Sequence, residues 1–410
     1  MIREKYQTRV IETSISVAQT TIESVRKKDI IKTGYRAYSD GFIGVSGTIG
    51  DHSEAEMHKK ATEALKLKIP YAYEASGNYK EHIILDKEII KEDLLVNEVE
   101  EVLSILRKDY PGFIFFDKIN LGSREVSLQN DNNLDLYYKN NYIEVSLAVK
   151  DKNKSNIVDT VIGYTGRRYN RKELLKYTDE MLSAYNNLID LPASKSYPCI
   201  ISSGNALPVK KLLTELNGLG IGTKSSLFTD KVGKKTFSEK FTFYQSANPY
   251  ELMVPFFDAE GVVNKNYRYP LIEKGVITAP YTDKRTAAMF GLSHTGSAIA
   301  EYDGVPTLGF AGFEIEPSEK TLKELLGGQP AILIGFASGG DFTPEGNFAS
   351  PVQLAMLFDG DRLVGRLPEF QISSNIYNMF GDAFIGVSKD KYLSLDEERS
   401  LVMEMNISKL

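Results

Sequence analysis

The chain has 410 residues, with 49 Lys and Arg against 55 Asp and Glu, a formal charge of −6. Hydrophobic residues make up 42% and charged residues 25%, a balance that builds a core and excludes a disordered, collagen-like or coiled-coil chain. The acidic excess lacks the basic face of a general nucleic-acid binder, and one cysteine, Cys199, excludes an internal disulfide framework or a cysteine-rich metal cluster.

The start, Met1-Ile-Arg-Glu-Lys5, leads into Thr- and Ser-rich sequence with no apolar core of a signal peptide. No run approaches the roughly 18 apolar residues of a membrane span. The cytoplasm is the expected compartment. Residues 34–50 alternate apolar and polar positions around Ser39-Asp40-Gly41, which predicts a β-hairpin. Asp51 or Ser53 is placed to cap a helix running to about Lys66. Leu94, Leu95, Val99, Val102, Leu103 and Leu106 recur at helical spacing and predict a helix over 91–107. Short strands are expected at 113–119, 124–129, 142–149 and 157–164, then a helix over 172–188.

The proline-containing run 190–198 reads as a link between two units, 1–190 and 191–410. Beyond it come a strand at 199–202, a helix at 206–217, hairpins with turns at Glu273-Lys-Gly275 and Asp359-Gly360, and a helix over 318–326 capped by Ser318. Strands and helices do not alternate strictly. The fold class is α+β, a mixed amino-terminal domain followed by a β-rich domain with few helices.

Four histidines limit the chemistry: His52, His58, His82 and His294. On a helix of about 100° per residue, His52 and His58 stand about 120° apart, so they do not share a metal-binding face. Glu54 and His58 do share one, but a single carboxylate and a single imidazole make an incomplete site. Cys199 sits in a Tyr-Pro-Cys-Ile-Ile strand and reads as a buried small hydrophobe. Residues 218–225 (GLGIGTKS) lack the Gly before Lys of a phosphate loop, and the glycines are expected to end the preceding helix. The basic run 166–172 (GRRYNRK) reads as a solvated loop.

The second half carries an ordered set of segments: FDAEGV at 257–262, LIEKGV at 271–276, DKRTAA at 283–288 and GLSHTGSA at 291–298. EGNFAS at 345–350, FDGD at 358–361, EFQISSN at 369–375 and Met379-Phe380 follow. This succession resembles the TldD/PmbA family, also called modulators of DNA gyrase, and the 34–50 hairpin with its helix is similar to the family's amino-terminal domain. TldD-type members are zinc peptidases whose ligands are an H-E-x-x-x-H helix and a later cysteine. The PmbA or TldE branch lacks those ligands and partners the zinc subunit.

Here the corresponding helix reads ALPVKKLLTELN over 206–217, without histidine, and Gly386-Val-Ser388 stands where TldD-type chains have Gly-Val-Cys. The resemblance therefore implies a PmbA/TldE-like chain without catalytic residues, metal or cofactor of its own. Its expected role is a subunit of a TldD/TldE-type metallopeptidase that shapes the chamber and binds peptides or unfolded proteins. The expected partner is a TldD-like zinc subunit or a second copy, with no membrane or nucleic acid.

Arg285, His294, Thr295 and Gly296 are the expected substrate-binding residues. Thr295-Gly296 as a structural turn and Arg285 as a packing contact remain the alternative. Lys274 replaces the Asn of the family's IENG turn, and Ser297 the Asn of its TGN segment. Two other functions stay open: a self-contained peptidase using His52, His58 or His294 with carboxylates, and a peptide-binding module without a peptidase partner.

Overall fold

The computed structural model describes residues 1–202, 207–310, 312–391, 393 and 398–410. Two sheets dominate an α+β architecture. The first holds β1 (Ile2–Ala18), β2 (Thr21–Ser39), β3 (Phe42–Ile49), β4 (Ile69–Pro70), β5 (Tyr79–Leu85), β6 (Phe113–Asn130), β7 (Leu134–Asp151) and β8 (Thr160–Gly166). Its order is β4-β3-β2-β1-β6-β7-β5, with β8 also paired to β7. The expected hairpin is β2–β3, turning through Asp40 and Gly41 at positive φ.

Other expectations are extended. The strands expected at 113–119 and 124–129 are one strand, β6, and β7 begins well before 142. The β1–β2 ribbon had no counterpart in the sequence reading. From Glu23 to Ile30 most of β2 faces water on both sides, apart from a half-buried Ser24, so the alternation that marks a half-buried strand is missing.

Helix α1 (Glu54–Ala64) is capped by Ser53, whose side chain accepts from the Glu56 amide. Helix α2 (Glu92–Asp109) buries Leu95, Val99, Val102, Leu103 and Leu106 against the first sheet, while Leu94 stays 49% exposed. Helix α3 (Arg171–Asn186) is capped by Asn170.

The second sheet is built around β9 (Ser196–Ser202), flanked by Ala331–Ala337 and Ser400–Lys409. Helix α4 (Leu207–Glu215) follows β9; Ala206 of the expected helix lies outside the described residues. The 218–222 glycines do not end α4. They form a five-residue helix of their own, capped by Asn217. A Cβ at Gly222 would lie 2.3 Å from Phe290, and at Gly218 2.6 Å from Thr282, so close packing is what demands glycine there. The later helix runs Leu322–Leu326 under a Thr321/Glu324 capping box, while Ser318 donates its hydroxyl to the Val387 carbonyl.

Apolar clusters cross between the sheets. Leu354 and Met356 pack with α2, α3 and the first sheet. Phe256 and Phe257 pack on Ile83, Val126, Leu128, Leu134, Leu136 and Tyr138. That second plug places the next residues, Asp258 to Gly261, at the junction.

Candidate functional site

Asp258 folds its own segment into a turn. Its Oδ1 accepts the amides of Glu260 and Val262, each at 2.9 Å, and its Oδ2 accepts the Ala298 amide at 3.0 Å. The first sheet grips the same turn from the other side. Buried Arg36 donates to the Ala259 carbonyl at 2.7 Å and to Glu4 at 3.0 Å. Tyr71 donates to Glu260 Oε1 at 2.6 Å, Ser76 to the Glu260 carbonyl at 2.6 Å, and the Lys284 amide to Glu260 Oε2 at 3.0 Å.

Burial, reinforced by the neighbouring Glu260 charge, raises the Asp258 carboxyl to about 7. Burial works on Glu260 in the same direction, but His294, Tyr71 and Lys284 outweigh it and hold that carboxyl below its ordinary value.

His294 completes the arrangement. Its Nε2 stands 3.7 Å from Glu260 Oε2. With Glu74, Ser76, Asn132, Val262 and Lys284 it lines a polar cleft of about 680 Å³. Lys284 opens the short helix Lys284–Phe290, capped by Asp283, and its Nζ reaches the Glu74 carbonyl and Ser76 Oγ at 2.7 and 3.1 Å.

The other expected site residues are placed differently. Thr295 is fully buried. Its hydroxyl donates to Gln245 Oε1 at 2.9 Å and accepts the Thr282 amide at 2.8 Å, and its amide donates to Thr282 Oγ1 at 3.1 Å. Gly296 has φ 69°, and a Cβ there would lie 2.6 Å from Val262 Cγ1. Its carbonyl accepts Gln245 Nε2 at 2.7 Å. These two residues build the turn that carries His294. Arg285 is exposed and is not among the residues lining the cleft. Ser297 donates to the Gly309 carbonyl at 2.5 Å.

Asp258 and Glu260 lie inside the FDAEGV segment but are not among the site residues expected from the sequence. The available signal was a pair of acids between Phe256-Phe257 and Val262-Val263, where burial of charge needs a reason.

Where the resemblance puts zinc ligands, Lys211, Glu215 and Ser388 are committed elsewhere. On α4, Lys211 pairs with Glu215 at 2.6 Å, and Glu215 accepts the Leu227 amide at 2.6 Å. Ser388 is fully buried; its hydroxyl donates to the Asp390 carbonyl at 2.6 Å and accepts the Ser400 amide at 3.0 Å. Ser400 is in register with Ser202, so the end of β9 that leads toward α4 lies beside Ser388. An ammonium and an engaged hydroxyl do not fit a zinc site.

Next to this end of the second sheet runs a groove of about 700 Å³, walled by Thr160, Val161, Ile200, Leu333, Phe336 and Leu354. Phe336 and Val161 are 57% and 48% exposed. Among the described residues β8 pairs with β7 alone, so one strand edge borders the groove.

The remaining candidates are structural. His52 bonds Tyr35 Oη and the Gly50 carbonyl, His58 packs edge-on against Tyr35, and His82 pairs with Asp135. Burial pushes the Cys199 thiol up to about 12. The basic run is not a solvated loop throughout: Arg167 binds the Pro249 and Leu252 carbonyls, and Arg171 binds Glu98.

Residues 194–403 match the family model of the PmbA/TldA metallopeptidase C-terminal domain. TldE from Thermococcus kodakarensis shares the fold with a TM-score of 0.79 at 19% identity, over 100% of this chain and 97% of that one. A protein described as a modulator of a DNA gyrase from Thermotoga maritima follows at 0.78 and 15%, over 99% and 96%. One from Bacteroides thetaiotaomicron, similarly described, gives 0.72 and 15%, over 100% and 95%. At these identities the likeness is one of fold. A search of curated proteins found no match.

Proposed function

The chain belongs to the PmbA/TldD family, and on that premise we propose that it is the non-catalytic subunit of a TldD/TldE-type metallopeptidase, without the family's hydrolytic zinc. One observation carries this reading: where the resemblance puts the zinc ligands, α4 carries no His or Cys and Ser388 is a buried, bonded hydroxyl. A hydrolytic zinc needs three protein ligands and an open position for water. A zinc-bearing TldD-like partner, or a second copy in a dimer, supplies what this chain lacks.

The chain's own work is to hold the substrate, in the cytoplasm. The groove beside β8 suits an extended peptide or an unfolded protein. Backbone bonds to the 160–163 part of the β8 edge accept varied sequences, and Val161 and Phe336 supply apolar contact. His294 and Lys284 present polar groups in the second cleft, with Thr295 and Gly296 holding the turn behind them. Arg285, exposed on the neighbouring helix, is left to meet substrate or partner.

A pull-down at native expression levels, followed by metal analysis of each recovered chain, tests the assignment. Recovery of a zinc-bearing relative in a fixed ratio is expected. Repeated recovery of this chain alone contradicts it and favours a peptide-binding module.

A further inference from the structure

We propose that Asp258, Glu260 and His294 bind one divalent transition-metal ion, Zn²⁺, which clasps the junction between the two halves of the chain. Each residue offers one ligand atom, and these atoms lie within 4.8 Å of one another. Both carboxylates are buried, at 6% and 3% exposure. His294 is 31% exposed at its side chain, yet its Nε2 is shielded from water and has no hydrogen-bond partner. A shielded ring nitrogen without a hydrogen bond, its one neighbour the Glu260 carboxylate at 3.7 Å, is costly unless something outside the polypeptide meets it.

The distances and the donor count agree with an ion. At 3.7 Å, His294 Nε2 and Glu260 Oε2 are too far apart for a hydrogen bond. That spacing suits two donors sharing one zinc, each about 2.0–2.2 Å from it. A carboxylate offers about four lone-pair sites. Asp258 spends three on the amides of Glu260, Val262 and Ala298, and Glu260 spends two on Tyr71 and Lys284. About one remains on Asp258 and about two on Glu260.

Charge points the same way. No cationic side chain makes a hydrogen bond to either carboxylate among the described residues: Lys284 offers Glu260 its amide, while its Nζ reaches Ser76 and the Glu74 carbonyl. Arg36 bonds Glu4 and the Ala259 carbonyl through one guanidinium nitrogen, and none of its hydrogen bonds reaches Asp258 or Glu260. One imidazole with two carboxylates selects zinc or manganese over calcium or magnesium, and zinc binds more tightly. With His294 and the one free lone pair of Asp258, the two left on Glu260 fill four positions, so the ion is closed to attacking water as in a structural site. Tyr71 and the three backbone amides orient the carboxylates as outer-shell partners.

The ion would join the 256–262 segment, plugged into the first sheet, to the His294 turn, tied to Thr282 and Gln245. This inference concerns residues other than the α4 and Ser388 positions and stands apart from the subunit role.

The test uses the full-length chain, stripped with a chelator and titrated with Zn²⁺ by calorimetry, with zinc content measured after desalting. About one zinc per chain is expected, together with a rise in Tm on adding zinc. Glu260→Gln and His294→Gln should each weaken binding at least about tenfold, as losing even an outer-shell partner does. His58→Gln, on a helix away from the cluster, should bind as the parent does, and circular dichroism confirms that each variant is folded. Absence of zinc from the parent, or equal binding by folded His294→Gln, overturns the site. Peptide cleavage by the zinc-loaded lone chain would overturn the subunit reading and leave the ion site standing. Cleavage confined to a complex, with no zinc on this chain, would do the reverse.

Discussion

Single side chains at the junction carry consequences out of proportion to their number. Arg36 is fully buried and faces Glu4, which is 2% exposed in turn. Replacing Arg36 by Met leaves a carboxylate buried without its partner, so Arg36→Met should cost about 3–5 kcal/mol in denaturant unfolding. A loss below about 1 kcal/mol, the range of exposed pairs, would show that the pair is not buried in solution. Cys199 makes the opposite point. With its thiol raised to about 12 by burial, essentially no thiolate exists at neutral pH. A thiol reagent should label it only after denaturation; rapid labelling of the native chain would contradict the inert assignment.

Among the elements, the turn at 294–296 is the one on which the cleft depends. Gly296→Ala forces a Cβ into Val262 at positive φ, and such strain costs on the order of 1–3 kcal/mol. Thr295→Val should cost a similar amount by leaving the Thr282 amide and Gln245 Oε1 without the Thr295 hydroxyl. Melting curves of both variants check this, and unchanged stability would contradict the bonding described. The groove is expected to behave differently. Phe336→Ser removes an exposed ring, so it should leave Tm unchanged while weakening binding of reduced, unfolded casein severalfold. A fall in Tm with unaltered casein binding would assign Phe336 to packing.

Helices with a cap and one apolar stripe were legible in advance: Ser53 before α1, and Leu95 to Leu106 along α2. The β1–β2 ribbon was not, because a strand wet on both faces lacks the period-two signal. Nor was the helix at 218–222, whose glycines answer to Thr282 and Phe290 across the fold. The order of the FDAEGV and GLSHTGSA segments carried the family resemblance. Asp258 and Glu260 meet His294 only because the Thr295 network folds the later segment back, a long-range event that spacing does not encode.

At the scale of the molecule, the two expected units, 1–190 and 191–410, share apolar clusters through Leu354, Met356, Phe256 and Phe257. Interfaces of that apolar kind couple neighbouring units, so calorimetry should record one main unfolding transition. Two well-separated transitions would show that the junction is weak. Among the described residues no helix is long and apolar enough to cross a membrane.

The central claim is that this chain binds peptide while another chain cleaves it. Cleavage of casein and short peptides, measured on the purified chain with zinc supplied and again on the complex recovered from cells, tests it most directly. No turnover above background is expected for the chain by itself, and robust turnover for the complex. Equal turnover by the isolated chain would contradict it.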